Sequence, residues 1–113
     1  MKSKTFASFP KLSEADFLRQ VIALARLNGW RVAHFRPAMS KSGRWMTAVQ
    51  GDGAGFPDLV LVREVVIFAE LKVGKNKPSP AQVAWLEDLK AAGAIAHVWR
   101  PEDWETIRIA LSR

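Results

Sequence analysis

The stretch GFPDLVLVREVVIFAELK, residues 55–72, decides the fold. Two runs rich in β-branched residues, 58–62 and 65–72, flank a polar break at Arg63 and Glu64. They read as the two strands of a hairpin. Side chains alternate faces along a strand, so Glu70 and Lys72 share one face with Phe68 and Val66. Asp58 joins that face only if the numbers of paired residues sum to an even value. A sum of 128 sets Asp58 opposite Glu70, and Val62 opposite Val66 across a three-residue turn at 63–65. The two acidic Cβ atoms then stand roughly 5 Å apart. A slip of one residue opposes Asp58 to Ala69 and sends the acids to opposite faces.

Two carboxylates this close repel each other unless a cation lies between them. Mg²⁺ suits the place, because it takes one or two carboxylates and keeps waters or phosphate oxygens. Lys72, one pleat away, could orient or help deprotonate an attacking water, or stabilise charge developing on a phosphate. The pattern therefore points to metal-dependent cleavage of nucleic acid. The bland reading is a surface ion triad on a sheet face, but acids are poor strand formers and Glu70 ends a strongly apolar run.

Working outward, Ser13 and Asp16 have N-cap and N3 spacing, and a helix carrying Phe17, Leu18, Val21, Ile22, Leu24 and Ala25 follows them. Asn28 and Gly29 stop it. Glu14 precedes Phe17, Leu18 and Val21 by helical spacings, so it points inward as a candidate metal ligand; as a first-turn acid it also complements the helix dipole. A short strand over 30–35 leads to a long, glycine-containing segment, with extended structure expected around 45–49. After the hairpin, Ser79 and Pro80 open a second helix that runs to Ala92, with Gly93 behind it. Gln82 shares the helical face of Trp85, Leu86 and Leu89. A glutamine there needs partners, in the acidic cluster or in nearby backbone. A strand at 94–99 and a short final helix complete an α/β order α-β-β-β-α-β-α. Residues 1–11 are expected to be a flexible arm before a single domain, 12–113.

The chain has 113 residues and no cysteine, which suits one compact domain without disulfides or thiolate metal sites. Its 17 basic and 11 acidic residues leave a net charge of +6, which favours a polyanionic partner. No stretch approaches the roughly 20 apolar residues needed to span a membrane, and the N-terminus lacks the apolar run of a secretory signal.

Gly55-Phe56-Pro57-Asp58-Leu59-Val60, then Glu70-Leu71-Lys72, then Ser79-Pro80-Ala81-Gln82, resemble the VRR-NUC family of the PD-(D/E)xK nuclease superfamily. The likeness runs from about Glu14 to Trp99, and Val98-Trp99-Arg100-Pro101 is similar to stand-alone bacterial and phage members. The resemblance implies a restriction-endonuclease-like core, a mixed sheet flanked by helices. It implies Mg²⁺- or Mn²⁺-dependent hydrolysis of phosphodiesters, often in branched or flapped DNA. Carried over by position, Asp58 and Glu70 are metal ligands and the Leu71 carbonyl a further one. Lys72 is the catalytic lysine, while Glu14 and Gln82 match the acid and the glutamine of the two helices. Stand-alone members tend to be homodimers, so the resemblance implies a homodimer, with a cytoplasmic site of action in a bacterial or phage-infected cell.

Lys41, Arg44, Lys75 and Lys77 lie in the loops flanking the site, where basic side chains neutralise phosphates. Trp45 could stack on an unpaired base or anchor its loop. The other tryptophans, Trp30, Trp85, Trp99 and Trp104, read as core or dimer-interface residues. His34 and His97 read as structural, although His34 could face the site from the neighbouring strand. The leading expectation is a structure-selective endonuclease acting on a four-way junction or flap. The alternatives are a non-catalytic branched-DNA-binding module and a partner-binding protein with a structural triad.

Overall fold

In the computed structural model, residues 12–35 and 51–112 are described in full and 38–39 and 45–46 as backbone. The elements are α1 (Glu14–Leu27), β1 (Arg31–His34), β2 (Ala38–Met39), β3 (Trp45–Met46), β4 (Leu59–Val62), β5 (Val66–Leu71), α2 (Pro80–Ala91), β6 (Ile95–Trp99) and α3 (Trp104–Leu111). A 3₁₀ turn at Pro101–Asp103 leads into α3. The main sheet is mixed, in the order β1-β4-β5-β6. β1 and β5 run antiparallel to β4, and β6 runs parallel to β5. Parallel neighbours need a crossover, and α2 supplies it. The order of the sheet strands and helices is the expected one. The long segment adds a ribbon in which Ala38 and Met39 pair with Met46 and Trp45; 47–49, where extended structure was also expected, lies outside the described residues.

Local signals explain the helices. The Ser13 hydroxyl accepts the Asp16 N–H at 3.0 Å. Asp16 does not complete a reciprocal box, because its carboxylate turns to Arg19. At α2 the box is complete: Ser79 Oγ accepts the Gln82 N–H at 3.2 Å, and Gln82 Oε1 accepts the Ser79 N–H at 2.8 Å. Such a cap is worth about 1 kcal/mol. Gly93, at φ +90°, takes the left-handed conformation just past the Ala92 cap of this helix.

Strand alternation divides the sheet into two faces. Leu59, Leu61, Ile67, Ala69 and Leu71 bury one face against Phe17, Leu18 and Val21 of α1 and Ile107 and Leu111 of α3. Each of the larger side chains among them contributes about 1.5–3 kcal/mol by leaving water. Trp30 joins this core, and its indole N–H donates to the Leu111 carbonyl at 2.9 Å. Arg63 lies 4.5 Å over the Trp30 ring and donates to the carbonyls of Asn28 and Ser112. The hairpin turn is thereby tied to the ends of both core helices. Val60, Phe68 and Glu70 project from the other face, toward α2. Trp99 is buried as expected and Trp104 packs half-buried on the core. Trp85 is different: it is half-buried on the α2 side and donates its indole N–H to the Asp52 carbonyl.

Candidate active site

The hairpin register is Leu59↔Ala69, Val60↔Phe68, Leu61↔Ile67 and Val62↔Val66, the pairing whose numbers sum to 128. Asp58, one residue before β4, therefore stands across from Glu70. The Phe35 N–H donates to the Asp58 carbonyl at 2.8 Å, so the β1–β4 ladder continues through this residue. Lys72 N–H turns to β6, donating to the Trp99 carbonyl at 3.0 Å.

β5 outruns β4 at this end. The Leu71 N–H, directed toward β4, is met by Asp58 Oδ2 at 2.9 Å instead of by a strand carbonyl. The N–H and C=O of one strand residue point to the same neighbour, so the Leu71 carbonyl is directed the same way. The register brings Pro57 opposite Leu71. Proline carries no N–H and offers that carbonyl no ladder donor.

Glu70 is 1% exposed, the only buried charged residue among those described. Its Oε2 accepts from Gln82 Nε2 at 2.7 Å and faces Lys72 Nζ at 3.3 Å. Its Oε1 is buried without a hydrogen-bond partner. Burial, and then the negative charge of Asp58, push the Glu70 carboxyl up to about 7 against the opposing pull of Lys72. A buried acceptor with no partner costs about 1–3 kcal/mol. A hard divalent cation at Oε1 would supply the missing partner and offset the repulsion from Asp58. The oxygens here, two carboxylates and a strand carbonyl, are the donors such a cation takes. The residues present therefore fit Mg²⁺ or Mn²⁺.

Not every expected residue joins this cluster. Among the described residues, no group of three or more acidic and histidine side chains is gathered closely enough to hold a metal. Asp58 and Glu70 thus form a pair without a third acid. Glu14 is half-buried at the first position of α1, whose apolar side packs on the opposite face of the sheet from Glu70. The reversal at Asn28 and Gly29 sends β1 back along α1, which places Glu14 toward the Asp58 end of the sheet. His34 pairs with Leu59 and so shares the core-side face; it does not face the site. His97 stacks on Trp99 at 5.6 Å, and burial lowers its pKa. Lys75 and Lys77 are exposed. Their loop is held by Arg100, whose guanidinium donates to the carbonyls of Gly74 and Asn76 at 3.1 and 2.7 Å. Nothing in the sequence marks Arg100 for this task, because a partner in backbone carbonyls leaves no pattern along the chain. Lys41, Arg44 and the Trp45 side chain lie outside the described residues.

No helix among the described residues is long and apolar enough to cross a membrane. Neither a curated protein nor a solved structure matches the chain. Comparison with known families matches residues 3–102 to the VRR-NUC domain. That span carries the hairpin, the orphaned Glu70 oxygen and the capped glutamine of α2, so the site and the match concern the same part of the molecule. The chain belongs to the VRR-NUC family, nucleases of the PD-(D/E)xK type.

Proposed function

We propose that the protein is a Mg²⁺- or Mn²⁺-dependent endonuclease that hydrolyses phosphodiester bonds in branched DNA, such as a four-way junction or a flap. The observation that carries the metal dependence is the buried, partnerless Oε1 of Glu70 beside Asp58. Asp58, Glu70 Oε1 and the Leu71 carbonyl would hold the cation, and Glu14 would approach from the end of α1. When bound, the cation polarises the scissile phosphate and acidifies a water.

The chain's own residues have separate tasks. Gln82 holds Glu70 Oε2 and so leaves Oε1 for the cation. Lys72 would orient the attacking water and stabilise negative charge on the phosphate. Lys75 and Lys77, with Lys41 and Arg44, would neutralise backbone phosphates without reading sequence. A homodimer would present two such sites to the arms of a junction.

The test is cleavage of labelled junction, flap, nicked and linear duplex DNA with Mg²⁺, with Mn²⁺ and in EDTA. Branched substrates should be nicked only with metal, and Lys72→Ala should bind DNA without cutting it. Equal cleavage by wild type and Lys72→Ala would falsify the assignment of Lys72. Sedimentation of the free protein at micromolar concentration reads the dimer.

A further inference from the structure

Asp58 is delivered by the segment 51–57, which belongs to neither strand of the hairpin. Five contacts hold that segment, and four of them are to α2 or to Phe68 beneath it. The Trp85 indole N–H donates to the Asp52 carbonyl at 2.9 Å. The Phe56 ring stands edge-on to Trp85 at 5.0 Å and to Phe68 at 6.1 Å. On its other side it meets Phe35, whose N–H bonds the Asp58 carbonyl, at 5.4 Å. Gly55, at φ +84°, lies so close to the helix that a Cβ there would stand 2.5 Å from the Ala81 carbonyl carbon. That neighbour is backbone and cannot swing aside.

Ala81 immediately precedes Gln82, which holds Glu70. The first two turns of α2 thus touch both halves of the site: Glu70 through Gln82, and Asp58 through Gly55, Phe56 and Trp85. Within the sheet, Asp58 is held at the start of β4 by the Phe35 N–H on its carbonyl and by the Leu71 N–H on Oδ2; the segment before it is held from α2. We propose that Trp85 and Gly55 are positioning residues. They clamp the segment before Asp58 to α2, so that one helix end keeps both carboxylates at the separation a divalent cation requires. This rests on the metal-dependent reading above.

Trp85→Phe tests it, because an aromatic ring remains to meet Phe56 while the N–H donor is lost with the pyrrole part of the indole. Mn²⁺ binding is read by electron paramagnetic resonance, cleavage of a labelled junction gives kcat and KM, and melting gives stability. Trp85→Phe should raise the Mn²⁺ Kd about fivefold and lower kcat about tenfold, sizes expected for one lost hydrogen bond. The KM for DNA should stay unchanged. Gly55→Ala should lower kcat further, by about 100-fold, as displaced catalytic groups do; if that variant fails to fold, Trp85→Phe carries the decision. A Trp85→Phe protein with wild-type Mn²⁺ affinity and kcat, whether or not its Tm falls, overturns the proposal. A change confined to KM does so as well, since it would make Trp85 a DNA contact. A wild-type protein that neither binds Mn²⁺ nor cuts DNA would overturn the metal-dependent reading itself.

Discussion

Gln82 joins the capping box of α2 to the buried carboxylate of Glu70. Its Oε1 accepts the Ser79 N–H at 2.8 Å, and its Nε2 donates to Glu70 Oε2 at 2.7 Å. Because the cap takes the oxygen, the amide can present only its NH₂ to Glu70. The helix cap thereby sets the orientation of a side chain in the site.

Gln82→Glu separates these two tasks. Glutamate is as good a capping-box residue as glutamine, so α2 should keep its cap. The donor to Glu70 becomes a third negative charge. Circular dichroism should show an intact fold, while cleavage falls by about two orders of magnitude, as for a lost charge-assisted donor. Cleavage near the wild-type rate would show that the bond to Glu70 is dispensable.

The stability of the metal-free protein should depend on Glu70. Its carboxyl is raised to about 7 from an ordinary value of 4.5. Between those values the folded chain holds a proton that the unfolded chain releases. The stabilisation is therefore full below the ordinary value and is lost as pH rises through the folded one. In EDTA, Tm should fall by on the order of 5 °C between about pH 5 and about pH 8. Glu70→Gln should remove that fall, and Mn²⁺ at the higher pH should reverse it in the wild type. The lowered pKa of His97 has the opposite sign and is common to both proteins, so the difference between them isolates Glu70. A Tm that rises equally with pH in both would contradict the assignment.

Asp58→Asn should weaken Mn²⁺ binding without unfolding the chain. The asparagine oxygen can still accept the Leu71 N–H, so the bond at 2.9 Å survives while the charge is lost. Isothermal titration should give an Mn²⁺ affinity at least about tenfold lower, a charge-assisted contact being worth more than a neutral one. Unchanged affinity would remove Asp58 from the ligand set.

Lys75 and Lys77 are exposed on a loop held by Arg100. If each neutralises one phosphate, Lys75→Ala and Lys77→Ala should each reduce the slope of log K against log salt by about one, evenly across DNA sequences. Fluorescence anisotropy at several salt concentrations reads this. A slope equal to the wild type in both variants would remove the loop from the DNA interface.

Much of the site was legible because its rules are local. A three-residue turn and two apolar runs leave the hairpin one register that buries Leu59, Leu61, Ile67, Ala69 and Leu71 together, and the same parity brings Asp58 to Glu70. Ser79 and Pro80 announce α2 by cap chemistry alone. Glu14 and His34 show where such rules stop. Helical phase turns Glu14 inward, but only the reversal at Asn28 and Gly29 says which end of the sheet it reaches. Strand period places His34 on a face, but only its pairing with Leu59 says which one.

The sequence by itself determined the hairpin register, the helix boundaries and the residue types that meet at the Asp58 end of the sheet. Each of these follows from periods of two or 3.6 residues and from caps within a few positions. Tertiary structure decided that Glu70 is buried with one oxygen partnered and one orphaned. It also decided that Gln82 faces Glu70, and that Trp85 holds the segment before Asp58. Desolvation and long-range contact depend on which layer covers which face of the sheet. That is settled when the crossover through α2 packs down, and no spacing along the chain records it.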